Sequence, residues 1–274
     1  MAPQIHPTAI VSPDAQLADD VVVGPYATVE GHVTLGPGTI IKTGSIIAGH
    51  TTIGARNAIG PYAVIGTGPQ DLGYRGEPTR VIIGDDNVLR EYVTINAGST
   101  KQDWVTRFGS RNFVMAYCHV GHDCEVGNDI VMANSVGFSG HCKIEDKVWF
   151  GGMAGLHQFV TIGTHAFIGG ASRIVHDCPP YLITEGNPAK VRGVNTIGLK
   201  RRGFPPEAID ALKCAQRLVY RSHLTAAQAI EQLASHTEGV TEHVRYLIEF
   251  LRKMFAGRQG RAREALRHKP EASS

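Results

Sequence analysis

Between Val114 and Pro179 the chain reads VMAYCH, VGHDCE, VGNDIV, MANSVG, FSGHCK, IEDKVW, FGGMAG, LHQFVT, IGTHAF, IGGASR and IVHDCP. The first place of every hexad is apolar: Val114, Val120, Val126, Met132, Phe138, Ile144, Phe150, Leu156, Ile162, Ile168 and Ile174. The second is most often Gly, Ala or an acid, and the fifth is small or β-branched. A period of six fits neither a helix nor an alternating strand. It fits a solenoid in which three short strands complete one turn and each turn buries its inward residues on the next.

Outward from this stretch the same period runs back to the N-terminus, from IHPTAI at Ile5 to IGTGPQ at Gln70. It resumes at Ile83 with IGDDNV, LREYVT and INAGST, and again at Phe108 with FGSRNF. Two loops, near 69–80 and 99–107, therefore interrupt one continuous coil, and loops held out by a regular scaffold are where binding residues collect. The hexads sum to roughly nine turns, or about 40 Å at one sheet spacing per turn. The expected division is a β-solenoid over 1–185, a helical domain over 186–256, and a basic, disordered tail over 257–274. In the helical part Pro205 and Pro206 open a helix to about Ser222, and Thr225 and Thr241 cap two more.

Composition narrows the function. A net charge of +2 over 274 residues argues against wholesale nucleic-acid binding. No stretch approaches the apolar run of about 18 residues that a membrane span needs, and the N-terminal residues do not read as a signal peptide. Cys118, Cys124, Cys142 and Cys178 occupy fifth places, so they read as small core residues rather than zinc ligands. Free thiols and no export signal point to the cytoplasm.

The histidines ignore the period. His119, His122, His141 and His157 take sixth, third, fourth and second places, so none is at the inward first place. His122 and His141 are expected on neighbouring outer positions about one turn apart. His122 followed by Asp123 is a candidate general base with an orienting carboxylate. Gly140, beside His141, is a candidate backbone donor to a developing oxyanion. His165 and His176 read as ordinary surface residues.

The hexads, the loop PQDLGYRGEPTR (69–80), HVGHDC (119–124), GLHQF (155–159) and GVNTIGLKRRGF (193–204) followed by helices together resemble the UDP-N-acetylglucosamine O-acyltransferases that open lipid A biosynthesis. The resemblance spans about residues 4–255. It implies a mainly β fold, a left-handed parallel β-helix with a C-terminal α-helical domain, assembled as a homotrimer with sites between neighbouring coils. It implies transfer of an (R)-3-hydroxyacyl chain from acyl carrier protein to the glucosamine 3-position. No cofactor or metal is implied beyond the phosphopantetheine arm of the donor.

By the same resemblance His122 is the base, Asp123 its orienting acid and the Gly140 N–H the oxyanion donor. Asp71 and His141 match sugar contacts, and Gln70 is a further substrate-binding candidate. His119, Gln158, Asn195, Arg201 and Arg202 match positions near the nucleotide or the pantetheine arm, and His157 lines the cleft. Gly170 matches the position whose side chain limits acyl length. Lys200, Arg217, Arg221, Arg245 and Arg252 offer a basic face for the acidic carrier protein.

Three positions depart from the family pattern: Gly73 where a lysine is common, Asn96 where a histidine is common, and Ile197 where a glutamate is common. They leave open whether the acceptor carries a 3-hydroxyl or a 3-amine. Rival readings are an acetyl-CoA-dependent O-acetyltransferase, a UDP-glucosamine N-acyltransferase and a zinc hydratase on the same scaffold. The N-acyltransferase would carry a sizeable domain before its hexads, which here begin at Ile5.

Overall fold

The computed structural model describes residues 2–235 and 241–262. Strands of mostly two residues alternate with corners and stack into three faces of eleven, nine and eight strands among the described residues, in parallel except for the last strand of the first face. The chain is a left-handed parallel β-helix carrying C-terminal helices. Outside the two loops, successive turns pair residues eighteen apart, as in His119↔Gly137, Gly137↔Gly155 and Gly155↔Arg173.

The hexad explains this geometry. First-place side chains stack along the coil axis, so Val120, Phe138, Leu156 and Ile174 form one column, each no more than 3% exposed. Fifth-place residues turn inward beside them, and Cys118, Cys124, Cys142 and Cys178 are all buried there. Burial pushes the Cys118 thiol up to about 11, so it packs as a small apolar group. Fourth places sit in the left-handed backbone region, including Asp123 (φ 59°), His141 (φ 64°) and Phe159 (φ 67°). Non-glycine residues adopt that conformation at a cost of about 1–2 kcal/mol, which the stacked turns above and below offset.

The two interruptions fall where the period breaks. One joins the strand Val64–Ile65 to Arg80–Ile83, the other joins Thr94–Ile95 to Val105–Phe108. The β structure runs on past residue 185: Leu182–Gly186 pairs in parallel with Phe167–Ile168 and then antiparallel with Ala189–Val194.

Among the described residues four helices follow: α1 (Thr196–Arg201), α2 (Pro206–Arg221), α3 (Ala226–Ser235) and α4 (Glu242–Phe255). Asn195 nucleates helix α1 by accepting from the Gly198 N–H. Thr225 Oγ1 accepts from Gln228 N–H, and Thr241 Oγ1 from Val244 N–H, capping α3 and α4. Apolar faces containing Ile209, Leu212, Ile230, Leu247 and Leu251 close a second core over Tyr181 and Leu182. Tyr246 also donates to Glu145 Oε2 at 2.7 Å, fastening α4 to the coil.

Two expectations need correction. The segment after 257 does not begin as a loose tail: Gly260 is buried, and Arg261 donates to the Val175 carbonyl at 3.3 Å. The rest of that expected tail, 263–274, lies outside the described residues. His165 is not a surface residue. It is 8% exposed, its ring stacked 5.8 Å from Tyr181 and edge-on to Phe204 at 4.9 Å. Desolvation by those rings, reinforced by Lys147 and Arg202, drives its pKa down to about 4. His176 is exposed, as expected.

Candidate active site

Eighteen residues separate His122 from Gly140, and Gly140 from Gln158, so all three occupy third places stacked along one corner. Asp123, His141 and Phe159 occupy the fourth places beside them. A Cβ built on Gly140 would fall 2.7 Å from His122 Nε2 and 2.6 Å from Cε1. The imidazole therefore rests on the bare Gly140 backbone, and no other residue type leaves it room.

His122 Nδ1 lies 2.7 Å from Asp123 Oδ2. An ionised carboxylate only accepts, so Nδ1 carries the proton and Nε2 presents its lone pair on the Gly140 side. Asp123 is wholly buried and itself held: Ser99 N–H donates to Oδ1 at 2.8 Å and Ser99 Oγ to Oδ2 at 2.6 Å. Thr106 Oγ1 accepts from the Asp123 N–H at 2.8 Å. Burial disfavours the charge, yet the bonds from His122 and Ser99 outweigh it and hold the carboxyl below its ordinary range.

His141 departs from its expected outer position. It is 4% exposed because Phe159 of the next turn stacks on its ring at 4.5 Å and Gln102 reaches its Nδ1 at 3.0 Å. Its ring meets His122 edge-on at 4.9 Å. It is a wall behind the base. His122 itself is also less open than expected, with 14% of its side chain exposed. His119, bonded through Nδ1 to Thr94 Oγ1 at 2.8 Å, has its pKa lowered by burial and then by His122.

A groove of about 710 Å³ opens in front of His122. Its floor follows the sixth-place column, where Gly137 and Gly155 stand between His119 and Arg173; a Cβ on either glycine would meet nothing within 4 Å. Gln70, His119, His157 and Gln158 line its sides. The Gly140 N–H points from the corner without a partner among the described residues, and its carbonyl accepts from Phe159. At equivalent corners the amides of Ala55 and Asn128 are capped by Asp85 and Asp146 at 2.7 and 2.8 Å. One imidazole lone pair and one uncapped amide thus face the same groove. That pairing suits general-base attack on a carbonyl.

The comparisons with known proteins agree with this chemistry. The family model described as UDP-N-acetylglucosamine O-acyltransferase, domain 2, matches residues 177–261. The acyl-(acyl-carrier-protein)–UDP-N-acetylglucosamine O-acyltransferase of Paraburkholderia phymatum is 44% identical over 93% of this chain and 98% of its own. That of Burkholderia lata is 48% identical over 90% and 96%. The solved UDP-N-acetylglucosamine O-acyltransferase of Moraxella catarrhalis superposes with a TM-score of 0.87 at 41% identity, covering 91% of this chain and 96% of that one. The chain belongs to the UDP-N-acetylglucosamine O-acyltransferase family.

Within that family pattern the three departures now have a structural setting. Beside Gly73 the space is filled from the other loop: Lys101 Nζ reaches Asp71 Oδ1 at 2.8 Å and lies 3.6 Å from where a Gly73 Cβ would be. The charge expected from residue 73 therefore arrives from residue 101. The Lys101 bond, then the Gly73 N–H, hold the Asp71 carboxyl below its ordinary range. Asn96 is buried; its Nδ2 donates to Thr67 Oγ1 at 3.1 Å and to the Gly68 carbonyl at 2.9 Å, tying down the base of the first loop. Ile197 is 68% exposed on α1.

Not every expected site residue gathers at His122. Asn195, Arg201 and Arg202 line a second groove of about 520 Å³ on a neighbouring face, floored by Val131, Trp149 and Phe167. Asn195 is engaged at both ends, its Nδ2 donating to the His165 carbonyl while Oδ1 caps α1. Gly170 lies at a corner one residue before Ala171, which lines the first groove. Ser99, Lys101 and Gln102 have no motif of their own, and Phe159 closes GLHQF without a role assigned to it there. Only the break in period near 99 and the eighteen-residue offset from His141 mark their places.

His122, Asp123 and His141 each offer one ligand atom, and these atoms lie within 4.8 Å of one another. A metal there would have to displace the bonds from Ser99, Gln102 and the Nδ1–carboxylate pair. The donor set is committed to a hydrogen-bonded dyad, which does not suit a zinc centre.

Proposed function

We propose that this enzyme transfers an (R)-3-hydroxyacyl group from acyl carrier protein to the 3-position of UDP-N-acetylglucosamine, the first step of lipid A biosynthesis. The observation that carries the reading is His122 Nε2 set beside the uncapped Gly140 amide at the edge of a glycine-floored groove. Nε2 takes the proton of the sugar 3-hydroxyl as its oxygen attacks the thioester carbonyl. The carbonyl oxygen becomes an oxyanion that the Gly140 N–H receives. Collapse breaks the C–S bond, and the departing pantetheine thiolate takes the proton back from the imidazolium. Asp123 keeps the ring in the required tautomer throughout.

The glycine floor at Gly137 and Gly155 suits an extended acyl or pantetheine chain, and Gly170, next to the groove-lining Ala171, carries no side chain to limit a longer tail. Gln70 and Asp71 serve the acceptor. No resident cofactor takes part, because the pantetheine arm belongs to the donor. Exposed Lys200, Arg217, Arg221, Arg245 and Arg252 provide the basic face for the carrier.

The functional unit is a homotrimer in the cytoplasm. The two grooves lie on different faces of one three-sided coil, and a three-fold ring lays one face of each chain on another face of the next. Arg201, Arg202 and Asn195 of one copy then complete the groove that His122 opens in its neighbour. Among the described residues no helix is long and apolar enough to cross a membrane.

The test is transfer by the purified protein from a ladder of hydroxyacyl carrier proteins and from coenzyme A thioesters, to both the 3-hydroxy and 3-amino sugars. Carrier-protein donors are expected to outpace coenzyme A thioesters, and His122→Ala to lose about 10²–10⁴ in rate with the fold intact. A wild-type rate in that variant, or a preference for coenzyme A, overturns the proposal.

A further inference from the structure

Three of the four residues 99–102 in the second loop fasten three separate groups of the site. Ser99, 3% exposed, gives both its N–H and its Oγ to Asp123. Lys101 reaches Asp71, and Gln102 reaches His141. The direction of the Ser99 hydroxyl is set as well: Oγ accepts from the Lys101 N–H at 3.3 Å, which turns its proton toward the carboxylate. A loop that merely spanned a gap in the coil would have no need of these bonds.

We propose that 99–102 is a clamp on the reactive groups, in which Ser99 is the positioning residue for Asp123 and Lys101 the positioning residue for Asp71. The proposal rests on the acyl transfer described above. Asp123 Oδ2 receives both Ser99 Oγ and His122 Nδ1. Without the hydroxyl the Ser99 N–H still holds Oδ1, but Oδ2 loses the bond that fixes its direction, and the imidazole bonded to Oδ2 loosens with it. Partners one bond removed from the reacting atoms commonly govern orientation in this way. Lys101 acts at the acceptor end. It neutralises Asp71 and fixes the direction in which that carboxylate accepts from a sugar hydroxyl.

The experiment is steady-state transfer by the full chain, with acyl carrier protein as donor and UDP-N-acetylglucosamine as acceptor. Ser99→Ala is expected to lower kcat about tenfold, the size of one hydrogen bond to a charged group, with both KM values and Tm held. Ser99→Thr, which keeps the hydroxyl, restores kcat. Lys101→Met raises the acceptor KM about tenfold on the same grounds. A wild-type kcat in Ser99→Ala, or no rescue by threonine, overturns the clamp. Should Ser99→Ala fail to fold, the exposed Lys101 decides alone, and an unchanged acceptor KM overturns the proposal. His122→Ala run alongside separates the two readings: if it is inactive while Ser99→Ala is wild type, only the clamp fails, and if it is fully active the acyl-transfer mechanism fails first.

Discussion

His122 and Gly140 stand on successive turns of the coil with the imidazole directly over the glycine, so that a methyl group on residue 140 would press into the ring, 2.7 Å from Nε2. Base and amide donor are thereby one unit. Gly140→Ala must push the ring off its bond to Asp123, because a contact of 2.7 Å cannot be absorbed by a few tenths of an ångström. The variant is expected to fold normally and to lose about 10² or more in kcat, the range of a lost oxyanion donor. Circular dichroism and turnover on one preparation check both halves.

Gly137 separates stability from activity. It sits in the two-residue strand Gly137–Phe138 with open space beyond its Cα. Valine there gains roughly 0.5–1 kcal/mol from relieved backbone entropy and strand preference. The same side chain stands in the floor of the groove. Gly137→Val should therefore raise Tm slightly while kcat/KM for the acyl donor falls. A rise in both would take this groove out of the reaction.

His165 links stability to pH. Its folded pKa, about 4, lies below the ordinary histidine value, so between those values the unfolded chain binds more protons than the folded one. The stabilising contribution is complete above the unfolded pKa and is lost as pH falls toward 4. At pH 5 the loss amounts to about 2 kcal/mol. His165→Phe keeps an aromatic ring among Tyr181 and Phe204 and should flatten the fall in Tm between pH 7 and pH 5. An equally steep fall in the variant would show that another group governs acid sensitivity.

The coil was legible because its rule is local. An apolar residue every sixth place dictates a strand and a corner wherever it occurs, and the dyad followed from two adjacent residues, His122 and Asp123. What escaped depends on residues brought together by the stack or by the loops. His141 belongs in the wall of the site only because Phe159, eighteen residues on, covers its ring and Gln102 closes over it. His165 sits at the same fourth place as many exposed residues, and Phe204 from beyond the coil buries it. Gly73 read as a lost charge, since nothing in its neighbourhood announces that Lys101 will stand there.

The eighteen-residue spacing between imidazole and amide limits how this enzyme can change. Deleting or adding one residue between Asp123 and Gly140 would move every later side chain to a different place in its rung, exchanging inward for outward along the remaining coil. Alterations in chain length are therefore tolerated only where the coil is already broken, in the loops between Ile65 and Arg80 and between Ile95 and Val105. Those two loops carry Asp71, Ser99 and Lys101, so the segments free to vary in length are also the ones that hold the acceptor carboxylate and the acid behind the base.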